Sequence, residues 1–336
     1  MIVDIKDAIN AQELSVAQIE EILADNRYND ILFAKADEVR KKYCGDEVKM
    51  IALLEFSNIC RNNCFYCGLR RENRGLERYG LSLKEIMEHA QFAKSLGFRY
   101  IALQSGESNV YSNEEFSAII RMISYLHLGV ILSCGELDGR DLREFKKAGA
   151  SGYLLKIETT DKKLYHRLHP HQNWMLRNNT INLLSALGYY TATGNIIGLP
   201  GQTLRSIAED ILYFKAVRVD FIGIGPLMPH KDTPLKDSPK GNLLLTLKTM
   251  ALCRILNSGA DIVTTTALEA LAPNGQELGL AAGANVVMPN ITNDCVRKNY
   301  QLFENKENTN IATSGLRTII NNIVRCGRSV SSDFEL

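Results

Sequence analysis

Eight short apolar runs separated by amphipathic segments constrain this chain more than any other feature: Ile51 to Phe56, Tyr100 to Gln104, Val130 to Cys134, Tyr153 to Ile157, Ala192 to Ile197, Asp220 to Ile224, Asp261 to Thr264 and Asn285 to Met288. Runs of this length read as buried strands, and their alternation with helices implies a parallel sheet. Eight units without a long polar linker favour closure into a (β/α)8 TIM barrel over an open doubly wound sheet. The punctuation agrees. Ser82-Leu83-Lys84-Glu85 and Ser112-Asn113-Glu114-Glu115 have the capping-box form, and Gly97, Gly149, Gly188 and Gly259 each follow a helical segment where a left-handed residue would end it. We expect a helical extension at 1–48, opened in part by the capping-box form Ser15-Val16-Ala17-Gln18, the barrel at 49–300, and a tail at 301–336. In the tail, Leu316, Ile319, Ile320 and Ile323 share a helix face, and Gly327 is a stop.

The chemistry concentrates just after the first run, at Cys60-Arg61-Asn62-Asn63-Cys64-Phe65-Tyr66-Cys67. Three thiolates spaced C-x3-C-x2-C on one loop, with no fourth cysteine nearby, suit a cubane iron–sulfur cluster with one open iron better than a closed zinc site. A zinc site completed by a distant ligand such as Cys134 is the competing reading. The other cysteines, Cys44, Cys134, Cys253, Cys295 and Cys326, have no framework spacing, which fits a reducing compartment. Lys plus Arg number 39 against 38 Asp plus Glu, so no net field draws nucleic acid or an anionic membrane. No apolar run is long enough to cross a bilayer and no signal peptide is evident, so we expect a cytoplasmic protein.

In a barrel, the C-terminal strand ends face the active site. They are polar here: Gln104-Ser105-Gly106-Glu107, Ser133-Cys134, Lys156-Ile157-Glu158-Thr159 and Thr264-Thr265-Thr266. Gly106 would let backbone approach a ligand, and Glu107 would receive an ammonium group. A buried Glu158 needs a cation, for which Arg177 is the candidate unless it clamps a substrate carboxylate. The threonines would bind an anionic ligand, or simply favour a strand. His166, His169 and His171 form no metal pair, and a solvated or phosphate-facing role is as well supported as a catalytic one.

The cysteine loop with Tyr66 before its last cysteine, the Ser-Gly-Glu segment and the glycine-flanked Gly194 to Gly198 resemble the radical S-adenosylmethionine (radical SAM) enzymes. Over roughly residues 45 to 300 the chain is similar to the HydE family of [FeFe]-hydrogenase maturases. The matching text includes Leu103 to Glu107, Gly198-Leu199-Pro200-Gly201-Gln202-Thr203, Gly223 to Pro226 with Pro229-His230, and Gly283 to Asn290. The resemblance implies one 4Fe–4S cluster on Cys60, Cys64 and Cys67. It further implies SAM held near Tyr66, Gln104, Ser105, Gly106, Glu107, Ser133, Glu158 and Arg177, with Gly194, Ile196 and Gly198 against its adenosine. The reduced cluster would cleave SAM to methionine and a 5′-deoxyadenosyl radical. Substrate, small or organometallic, would meet Thr264, Thr265, Thr266, Cys134 and Lys156. Other maturases and a ferredoxin or flavodoxin are the implied partners.

The family usually shows Arg-His-Glu-Thr where this chain has Lys156-Ile157-Glu158-Thr159, and a C-terminal cysteine group for a second cluster is reduced to Cys326. The first change keeps open a methylornithine-synthase-like mutase or a biotin-synthase-like sulfur inserter on the same barrel. A metal carrier without catalysis is the alternative of another class.

Overall fold

A computed structural model describes residues 4–304, 306, 312–332 and 334. Helices α1 (Ile5–Ala11), α2 (Val16–Ala24) and α3 (Asn29–Cys44) precede strands β1 (Glu47–Met50) and β2 (Ala52–Ser57). Then follow α4 (Leu83–Ser95), β3 (Tyr100–Ser105), α5 (Asn113–Tyr125), β4 (Gly129–Ser133), α6 (Gly139–Ala148), β5 (Ala150–Leu154), α7 (Lys162–Leu168), α8 (Trp174–Ala186) and β6 (Tyr190–Ile197). The chain continues through α9 (Leu204–Val217), β7 (Phe221–Pro226), α10 (Leu243–Leu256), β8 (Asp261–Ile262), α11 (Thr266–Leu271), α12 (Gly275–Ala281) and β9 (Val286–Val287). It ends with α13 (Asp294–Arg297), α14 (Ala312–Arg325) and β10 (Ser329–Val330).

Strands β2 to β8 form one parallel sheet in sequence order. Strand β9 closes it. On one side Asn285 N donates to Ile262 O (2.9 Å) and Thr264 N to Val286 O (3.0 Å); on the other, Leu53 N donates to Pro289 O (2.9 Å) and Ile291 N to Leu53 O (2.9 Å). The expected runs are therefore the barrel's staves. Leu53, Ala102, Ile131, Ala192, Phe221 and Val263 pack together as a cluster separate from the layer between strands and helices. This apolar fill occupies the barrel interior and leaves the polar strand ends to a cavity.

Local chemistry sets the helix ends. Ser15 with Gln18, Ser82 with Glu85, and Ser112 with Glu115 make reciprocal capping boxes. Gly97, Gly149, Gly188 and Gly327 take positive φ after their helices. Gly259 does not, because α10 already ends at Asn257 with φ −127°. The fourth strand differs too, running Ala150–Leu154 rather than Tyr153 to Ile157. Ala150, Ser151 and Gly152 lack the bulk that marks a strand, and a Cβ on Gly152 would lie 3.1 Å from Ile131 Cγ1, so a side chain there would press on Ile131. Strands β1 and β10 were not anticipated; β1 pairs with both β9 and β10, and the alternation of Glu47-Val48-Lys49-Met50 spans only four residues.

Two buried cations tie the periphery down. Lys248 Nζ donates to Ile22 O (3.0 Å) and Asp25 O (2.9 Å), placing its charge at the carbonyl-rich end of α2. The Arg254 guanidinium donates to Gly283 O (2.8 Å), Ser258 O (2.8 Å), Ala260 O (2.6 Å) and Asn285 Oδ1 (2.8 Å). Among the described residues, no helix is long and apolar enough to cross a membrane. Lys248→Met would leave the α2 carbonyls without their donor. We expect it to lower the unfolding free energy by about 2 kcal/mol in urea denaturation, with an unchanged slope.

Candidate active site

The loop after β2 is shaped from outside. Asn58 Nδ2 donates to Glu77 O (2.8 Å) and Asn299 O (2.7 Å), while its Oδ1 accepts from Tyr79 N (2.8 Å). The Arg78 guanidinium donates to the carbonyls of Asn58 (2.7 Å), Leu69 (2.9 Å) and Arg70 (2.7 Å). At the loop's other flank, a Cβ on Gly106 would lie 2.4 Å from Ile59 O and 2.7 Å from Cys60 Cβ. Gly106 thus admits the cysteine loop's own backbone, a different neighbour from the ligand expected in sequence. Arg61 completes the join: its N–H donates to Glu107 O (2.8 Å) and its guanidinium pairs with the Glu107 carboxylate at 2.8 Å.

Cys60, Cys64 and Cys67 line a cavity of about 350 Å³, together with Tyr66. Burial pushes the Cys64 thiol up to about 12 and raises those of Cys60 and Cys67. Gln104, Ser105, Gly106 and Glu107 at the end of β3, and Ser133 at the end of β4, line the same cavity. So do Lys156, Glu158, Arg177 and Ile196, and Thr264, Thr265 and Thr266 after β8. Tyr300, Leu302 and Phe303 also reach it, and Gly68 N donates to Leu302 O (2.9 Å), so this segment packs on the cysteine loop. Behind it, buried Lys306 pairs with buried Glu55.

Three expected residues lie elsewhere. Gly194 is not among the residues that line the cavity; a Cβ there would meet Gly223 O at 1.9 Å, so its bare backbone serves the β6–β7 contact. Gly198, with φ +95°, packs on Gly241 and donates its N–H to Gln202 Oε1 (2.7 Å) as part of a turn. Cys134 does not face the lumen. Its Sγ lies 3.8 Å from Leu103 O, it packs in the strand–helix layer, and burial pushes its thiol up to about 12.

The charged groups are arranged differently from the simple pair anticipated. Glu158 faces Lys156, with Nζ 3.1 Å from Oε2 but without hydrogen-bond geometry, and that oxygen is buried. Its backbone sits at φ +64°, a conformation that costs a non-glycine residue roughly 1–3 kcal/mol. Neighbours impose it: Glu158 N donates to Gly194 O (3.0 Å), and Ile196 N donates to Glu158 O (3.1 Å). Asp210 braces the next turn, accepting from Thr160 N (2.6 Å), Thr160 Oγ1 (2.6 Å) and Asn195 Nδ2 (2.9 Å). Arg177 instead pairs with Glu136 (2.8 Å) and donates to Lys156 O (2.9 Å) and Gln172 Oε1 (3.0 Å). Gln172 Nε2 in turn lies 3.0 Å from Cys64 Sγ.

His169 is buried, not solvated. Its Nδ1–H donates to Tyr165 O (2.8 Å), leaving Nε2 to accept from the Tyr66 hydroxyl (2.7 Å). Burial and the nearby Arg177 push it down to about 3, so the ring stays neutral. Arg78, Glu136 and Gln172 carried no role in the sequence reading, and His169 only a solvated, phosphate-facing or catalytic one. Only Tyr66, a buried hydroxyl in need of a partner, offered a signal, and that signal did not name His169.

The model of the Radical SAM superfamily matches residues 54–214. The chain is 43% identical over 305 residues to the [FeFe] hydrogenase maturase subunit HydE of Thermotoga maritima, covering 90% of this chain and 88% of that one. The chain belongs to the radical SAM superfamily. This radical SAM enzyme is also 30% identical over 266 residues to 3-methylornithine synthase of Methanosarcina acetivorans, 78% of this chain and 75% of that one. Its fold is that of the crystal structure of methylornithine synthase (PylB), at a TM-score of 0.83 and 23% identity over 98% of each chain. A 4Fe–4S cluster and SAM are the cofactors that membership implies.

The donor set fits a radical SAM cofactor pair: soft thiols on one wall, and carboxylates, an arginine and an apolar strand edge around the remainder. Among the described residues, no three Cys, His, Asp or Glu side chains converge on a single ion. A cubane does not ask for that, since each thiolate grips its own iron.

Two outcomes follow for this radical SAM site. Gly106→Ala should displace the cysteine loop at a cost of roughly 1–3 kcal/mol. Iron retained after anaerobic reconstitution should fall while circular dichroism is unchanged. Burial raises Asp210 from 3.8 to about 6, so the folded state favours its protonated form. The stability this contributes is full below the unfolded value and is lost as pH rises through about 6, up to about 3 kcal/mol. Asp210→Asn should remove that loss, because Asn195 Oδ1, buried without a partner, can turn to accept the new amide. Urea unfolding at pH 4, 5, 6 and 7.5 would read the flattened profile.

Proposed function

We propose that this chain holds a single 4Fe–4S cluster on Cys60, Cys64 and Cys67 and cleaves SAM reductively. We further propose that it serves the maturation of an [FeFe] hydrogenase, in assembly of the diiron subcluster. The observation that carries the first part is the opening of three half-buried cysteines onto one cavity. Identity of 43% over nearly the whole length of a HydE maturase supports the second. When bound, the reduced cluster supplies one electron to SAM, which splits into methionine and a 5′-deoxyadenosyl radical.

The chain's own residues set up that event. Arg61 and Glu107 lock the cysteine loop to the end of β3, so the thiols and the carboxylate move as one unit. Glu107 and Glu158 present negative charge to the methionyl ammonium of SAM, Arg177 presents positive charge, and Ile196 gives adenine an apolar surface. Tyr66, fixed by His169, lines the cavity beside the cysteines. Lys156 and Thr264, Thr265 and Thr266 face the same cavity and are the candidates for the substrate end. Thr264 Oγ1 is buried without a hydrogen-bond partner, which leaves it free to bind a polar substrate atom. A ferredoxin or flavodoxin in the cytoplasm would supply the electron.

A methylornithine-forming mutase is the second reading, favoured by Lys156-Ile157 in place of the family's Arg-His. Anaerobically reconstituted, dithionite-reduced protein with SAM should release 5′-deoxyadenosine, and Cys64→Ala should abolish that release. Undiminished release from the variant would overturn the cluster assignment. Expressed with an [FeFe] hydrogenase and its other maturases in cells lacking their own HydE, the chain should restore hydrogen evolution. Failure there, together with conversion of lysine into methylornithine, would replace the maturase reading with the mutase.

A further inference from the structure

A hydrogen-bonded chain runs through the cavity wall from an acidic side chain to one of the cysteine sulfurs. Glu136 holds Arg177 at 2.8 Å, the Lys156 carbonyl accepts from the same guanidinium at 2.9 Å, and the Tyr165 ring lies beneath it with its centroid 5.8 Å away. Arg177 is 8% exposed, so these contacts fix it away from water. It donates to Gln172 Oε1 at 3.0 Å. A guanidinium can only donate, so the Gln172 oxygen must face Arg177, and this settles which way the amide points. The remaining end, Nε2, is thereby turned to Cys64 Sγ at 3.0 Å. The Gln172 backbone is anchored as well, its N–H donating to His169 O at 3.1 Å.

We propose that Gln172 tunes the cluster: its amide donates to the Cys64 thiolate and raises the potential at which the cluster accepts the electron needed to cleave SAM. The inference rests on the cluster assignment made above. A donor aimed at a ligating sulfur withdraws electron density and stabilises the additional negative charge of the reduced state, and hydrogen bonds to sulfur are among the levers that set such potentials. A neutral amide does this without placing a full charge beside the cluster. Arg177 and Glu136 are positioning residues in this scheme, because they orient the amide without touching the sulfur.

The test is an electron paramagnetic resonance redox titration of reconstituted protein without SAM, with iron content measured on every sample. Gln172→Leu removes the donor at similar volume, and Gln172→Asn withdraws it by one methylene. Both should retain wild-type iron while the midpoint moves to more negative potential. A tenfold weaker reduction equilibrium in the Leu variant would read as about 59 mV, with a smaller shift for Asn. An unchanged midpoint at full iron content in the Leu variant overturns the proposal. Loss of the cluster from both variants, with circular dichroism intact, overturns it too, since Gln172 would then be needed for loading. If the wild-type chain itself gives no 4Fe–4S signal, the cluster assignment fails and this proposal falls with it, an outcome distinct from a shift that does not appear.

Discussion

Between Asn58 and Tyr79 the backbone forms neither helix nor strand, so its buried polar groups must find partners outside the usual ladders. The Arg78 guanidinium and the Asn58 amide take that place, collecting carbonyls from residues scattered over the loop and from Glu77 and Asn299. Their satisfaction holds Cys60, Cys64 and Cys67 along one wall of the cavity. Gly106 permits this by lacking a side chain where Ile59 and Cys60 press against β3. The thiols' position is therefore a consequence of backbone hydrogen bonding, and the barrel is the rigid frame from which those hydrogen bonds are strung.

Much of that frame was legible because it is written in local chemistry. Capping boxes at Ser15, Ser82 and Ser112 involve residues three apart, and the eight apolar runs need only their own composition to be seen. What was not legible depended on distant partners. Strand β1 exists because β9 and β10 flank it, and the fourth strand starts at Ala150 because β4 and β6 pair with small residues there. The glycines show the same division. Gly97, Gly149 and Gly188 answer to a helix end beside them, whereas Gly106 and Gly194 answer to Ile59 and Gly223, which the chain delivers from elsewhere. A glycine therefore announces a close approach without naming what approaches.

The candidate site divides similarly. Spacing alone picks out the cysteines, and strand ends pick out Glu107, Glu158 and the threonines. The connections between them follow from the fold. Arg177 was read as a partner for Glu158, yet the barrel brings Glu136 from the end of β4 closer to it, and Lys156 takes Glu158. Gln172 and His169 lie in a segment marked in sequence by three histidines that form no metal pair, and their roles arise because that segment folds over Cys64 and Tyr66.

Glu158 shows how the frame sustains a costly arrangement. A left-handed backbone and a buried carboxylate are each unfavourable, and a single lysine contact with poor hydrogen-bond geometry does not offset both. The offset comes from β6, whose Gly194 carbonyl and Ile196 amide grip Glu158 on both sides, and from Asp210, which braces Thr160 and Asn195. Gly194 is central to this: its missing side chain lets β7 approach on one edge while its carbonyl receives Glu158 on the other. Gly194 thus acts one step back from the cavity that Ile196 lines, holding the backbone of the carboxylate residue that faces it. Strain concentrated in a residue that faces the cavity, with its support distributed among the residues behind it, is the pattern expected of a site built for binding rather than for stability.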